Sequence, residues 1–125
     1  MNLDDLNQSV TSAILRAEAE EPRSWEQQLA YREVADLEEE IAKLTSAETA
    51  PGKAARLGAV SASLKSGDPL RATQLAYQYG LEPVGDRVKA RLDEFIKQAE
   101  TDLQSGADSA PDVANIAFEL VSDAA

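Results

Sequence analysis

The chain has 125 residues, of which 23 are aspartate or glutamate and 12 lysine or arginine, giving a net charge of −11, and it contains neither histidine nor cysteine. Those absences remove the usual general base near neutral pH, the thiolate nucleophile and the commonest transition-metal ligands, while the charge disfavours unaided binding to nucleic acid or anionic lipid. The hydrophobic content of 43% is rich in alanine and only 5% of residues are aromatic, which predicts close-packed helices rather than a sheet or a large ligand cavity.

Leu3, Leu6, Val10, Ala13, Ile14 and Ala17 recur every three or four residues and predict a first amphipathic helix from about Asp4 to Glu20. Glu20-Glu21-Pro22 ends it, because a residue before proline avoids the α region and carboxylates oppose the negative helix end. Ser24 followed by Gln27 has the form of a capping box. It opens a second helix whose stripe is Ala30, Val34, Leu37, Ile41 and Leu44, with the run Glu38 to Glu40 read as a solvated face. The two helices are expected to pair as an antiparallel hairpin.

Thr45 to Gly52 is small and polar, and Pro51 suits the first turn of a third helix. Ala54, Leu57, Val60, Ser61 and Leu64 then form a weaker stripe, in which Gly58 and the small residues suit a helix that another crosses closely. Gly67 is a cap glycine, and Asp68-Pro69 opens a fourth helix that Gly80 ends. Leu70, Ala72, Leu75, Ala76, Tyr77 and Tyr79 surround much of its girth, so it is expected to be substantially buried and central. A fifth helix follows from about Asp86 to Gln104, with Val88, Leu92, Phe95, Ile96, Ala99 and Leu103 on one face, broken at Gly106 to Ala110. Pro111 opens a sixth, short helix with Val113, Ile116, Ala117, Leu120 and Val121.

The expected fold is therefore all-α, a compact bundle of about six helices in a single domain over residues 1–125, with residues 45–52 as the place for a hinge. Periodicity alone admits both one bundle and two subdomains joined there. Packing and mobility are both open for residues 107–125.

Charge is uneven along the chain. Residues 1–50 carry 12 acidic and 4 basic groups, residues 51–100 carry 6 and 8, and residues 101–125 carry 5 and none. The opening Met1-Asn2-Leu3-Asp4-Asp5 has neither a basic region nor an apolar run, and nothing approaches the ~20 apolar residues of a membrane span. A cytoplasmic location is expected, and the glycosylation pattern Asn7-Gln8-Ser9 then has no use.

Chemical motifs fail on inspection. Gly52-Lys53 lacks both the upstream glycine and the following hydroxyl of a phosphate loop. Asp102 to Asp112 places Gln104, Gly106 and Val113 where a calcium loop needs other residues. Ser61 and Lys65 share a helix face but have no glycine-framed nucleophile turn or oxyanion motif beside them. The glutamate runs lack the histidines of a di-iron bundle. No catalytic residue, metal, cofactor or small-molecule substrate is expected, and the chain reads as non-enzymatic.

The expected function is a protein–protein interaction module, adaptor-like or regulatory, that self-associates through its amphipathic helices. Its interface candidates are Trp25, Tyr31, Val34, Leu37, Ile41, Leu44 and Tyr77, aromatic anchors and stripe residues able to bring contact area at little entropic cost. Two other readings stand beside it: an acidic mimic of nucleic acid that occupies a basic protein, and a small helical chaperone or assembly factor.

Overall fold

The computed structural model describes residues 2–109 of the chain. These form five helices: α1 (Leu3–Ala19), α2 (Trp25–Leu44), α3 (Ala50–Lys65), α4 (Pro69–Gly80) and α5 (Asp86–Ser109). Among the described residues there is no strand, so the all-α reading holds, and no helix is long and apolar enough to cross a membrane. The helix expected at Pro111 and most of the stretch 107–125 lie outside the described residues. Residues 107–109 belong to α5, which runs through Gly106 rather than stopping before it. A lone glycine costs a helix only about 1 kcal/mol relative to alanine, too little to break one that is otherwise anchored.

Local chemistry sets the boundaries. Asn2 and Asp5 form a reciprocal capping box at the start of α1. The Ser24 hydroxyl accepts from the Gln27 backbone N–H at 3.1 Å, and the Gln27 side chain accepts from the Arg23 N–H at 2.8 Å. That second bond holds Arg23 at φ 64°, a left-handed conformation uncommon for a residue with a side chain. Thr49 caps α3 and Asp68 caps α4. Gly67, at φ 76°, makes the turn between them.

Packing follows chain order. α1 lies antiparallel on α2, where Arg16 pairs with Glu33 at 2.9 Å and the Gln27 amide donates to the Ala17 carbonyl at 3.1 Å. α3, rather than the expected α4, is central, since it packs against α2, α4 and α5. Its buried residues include Gly52, Ala55, Ala59, Ala62 and Ser63, and such small side chains let three neighbours approach one axis. One apolar cluster joins Leu6 and Val10 of α1, Ile41 of α2, Val60 of α3, Leu75 and Tyr79 of α4, and Leu92 and Phe95 of α5.

A buried arginine ties this core to the connections. Arg56, only 5% exposed, makes a two-pronged ion pair with Glu82 through Nε at 2.9 Å and Nη2 at 3.0 Å. It also donates to the carbonyls of Gly52 and Thr45 at 3.0 and 3.2 Å, and stands over the Tyr79 ring. The α2–α3 connection and the residues after α4 are thereby held by one side chain. Glycine is required at position 52, where a Cβ would run into the Ser46 carbonyl.

Candidate functional site

The middle of the α2 stripe, from Val34 to Ile41, is covered within the chain itself. Val34 and Ile41 are each 4% exposed, packed in the core with the half-buried Leu37. Tyr31 is half-buried, with the Lys65 ammonium 5.3 Å above its ring. Leu44 is exposed. It is the last residue of α2, and ten residues after Val34 it lies about 80° round the helix from it.

Other apolar residues of the hairpin stand in solvent on its far side. Trp25 is 67% exposed and Leu29 53%. Trp25 precedes Val34 by nine residues, two and a half turns, so it faces away from the core. Leu29 follows one turn later on the same side. Beside them, Ala19 on α1 and Ala30 on α2 are small enough to leave a groove of about 320 Å³. Leu15, also exposed, lies one turn before Ala19 and extends that face. Glu20, Glu26 and Glu33 line the groove with Arg16, whose charge is already engaged by Glu33. The result is an apolar slot with a net negative rim.

A second apolar face occurs on α4. Ala72, Leu75, Ala76 and Tyr79 are buried against the bundle, whereas Leu70 and Tyr77 stand in solvent, as does Leu81 just beyond the helix. The sequence-based expectation of an encircled α4 is therefore corrected, because α3 and α5 cover one side only. Tyr79 is the anchor of that side. Burial first, then the Glu39 carboxylate, pushes its hydroxyl up to about 12.

Glu38 departs from the solvated face expected for the run Glu38 to Glu40, being half-buried. It lies four residues after Val34 and three before Ile41, a spacing that already puts it on the inward face. It borders a cleft of about 140 Å³ with Glu18, Tyr31, Gly58, Ser61 and Lys65. A Cβ at Gly58 would stand 2.5 Å from its Oε2. Burial raises the Glu38 carboxyl to about 7. Ser61 and Lys65 do share this cleft, as their spacing requires, with the Lys65 ammonium standing over the Tyr31 ring. Among the described residues no group of three or more metal-binding side chains is placed to hold an ion.

No protein-family model matches this chain, and neither the curated proteins nor the solved structures compared with it give a match.

Proposed function

We propose that this protein is a non-enzymatic interaction module whose α1–α2 groove seats the apolar face of a partner helix bearing basic flanks. The observation that carries this reading is the exposure of Trp25 and Leu29 beside a concavity ringed by glutamates. A large aromatic in water next to a ready groove is the usual form of an interface anchor. Apolar anchors at one-turn spacing match the way an amphipathic helix lies in a groove. The glutamates add attraction for lysine and arginine at the edge, which speeds encounter and selects the partner more than it tightens the complex.

The test uses a designed helical peptide with leucine on one face and lysine on the other, titrated calorimetrically into the intact chain. Leu29→Lys and Trp25→Ala should each weaken binding at least tenfold, while a peptide with glutamate in place of lysine should not bind. Equal affinity for the parent and both variants would remove the groove from the account. The nucleic-acid-mimic reading draws on the same negative rim, and it additionally requires that the natural partner's site be one that DNA or RNA also fills. Competition between this protein and an oligonucleotide for one basic partner would decide for it.

A further inference from the structure

In a chain of net charge −11, the outward face of α4 is conspicuous for carrying no charge. Leu70, Gln74, Tyr77 and Leu81 fall at spacings of four, three and four, which places them in one line along the helix. Leu70 is 63% exposed, Tyr77 59% and Leu81 90%. The remaining charge on α4, Arg71, is turned aside and engaged by Asp36 and Glu39 of α2. The glutamate-rimmed groove would repel its own image; this face would not.

The spacing also reads identically in both directions. A two-fold axis crossing α4 midway between Leu75 and Ala76 brings Leu70 against the second copy's Leu81 and Tyr77 against its Gln74. Such a pairing is self-complementary, as an isologous contact must be. We propose that two copies of this chain associate through antiparallel α4 helices, independently of the groove and of what binds there.

The helix is twelve residues, about 18 Å long at 1.5 Å per residue. Contact along one such helix buries on the order of 1,000 Å² in total, the size class of weak and transient complexes. The dimer is accordingly a weak, concentration-dependent one.

Sedimentation equilibrium of the intact chain from about 5 µM to about 1 mM, a range wide enough to show a weak dimer forming, tests the pairing. The expected result is a mass rising toward two chains, undiminished by added salt, because no ion pair contributes. Tyr77→Glu and Leu81→Glu, both at solvent positions and expected to keep the helical circular dichroism of the parent, should raise Kd at least tenfold; Trp25→Ala should leave it unchanged. A monomer at every concentration would overturn the proposal. So would a dimer that survives both glutamate substitutions, or one that Trp25→Ala abolishes.

Discussion

Glu38 and Gly58 meet where α2 crosses α3, and the pair shows how one residue sets a pH dependence. The folded chain keeps the Glu38 proton up to about pH 7, against an ordinary value of 4.5. Between those values the folded state binds more protons than the unfolded one, so this group's contribution to stability falls as pH rises through that window. Glu38→Gln stays neutral throughout. It should match the parent near pH 4 and exceed it near pH 8 by about 1 kcal/mol, a figure reduced for partial exposure. Urea unfolding at both pH values measures this, and a variant less stable than the parent at pH 8 would contradict it. Arg56 makes the opposite kind of contribution, because its burial is satisfied by four hydrogen bonds. Arg56→Met should cost about 2–3 kcal/mol by leaving Glu82 and two carbonyls without their donor. Loss of less than about 0.5 kcal/mol would show that water replaces the guanidinium readily. Neither residue was legible as special. Glu38 was hidden inside a run of three glutamates, although its spacing from Val34 was there to be read, and Arg56 has partners up to 26 positions away, which no local pattern encodes.

At the scale of elements, the sequence was most readable where a helix begins or ends. Ser24, Asp68 and Gly67 were read as caps or turn residues from local chemistry, and each serves as one. What covers a helix was not readable in that way, since it depends on where distant segments return. The fourth helix has apolar residues on nearly every side, and only the placement of α3 and α5 determines that Tyr79 is core and Tyr77 surface. Two tyrosines of one helix should therefore behave oppositely. Tyr79→Ala should destabilise by about 3 kcal/mol, whereas Tyr77→Ala should change stability by less than about 0.5 kcal/mol in dilute solution. Thermal and denaturant unfolding of both variants check this; similar losses would mean that α4 is covered on both faces. α2 shows the same division, with Val34 and Ile41 committed to the core and Trp25 left outside.

Over the whole molecule, the charge distribution separates two kinds of surface. The hairpin of α1 and α2 concentrates acidic groups around an apolar groove, suited to a basic partner, while the uncharged line on α4 suits a second copy. The expected interface residues divide accordingly: Trp25 belongs to the groove and Tyr77 to the α4 line, whereas Val34 and Ile41 hold the bundle together. Composition supports the expectation of an interaction protein without naming a surface, and only the fold distinguishes apolar residues consumed by the core from those left over. The groove also carries its own reporter, because Trp25 is the sole tryptophan of the chain. The most direct measurement is the emission of Trp25 in the intact protein as the leucine–lysine peptide is added. A saturable blue shift, weakened by salt and moved to at least tenfold higher peptide concentration by Leu29→Lys, is the result predicted for an anchor passing from water into an apolar contact. Binding without any change in Trp25 emission, or a shift that saturates at the same peptide concentration in Leu29→Lys, would contradict the groove as the recognition site.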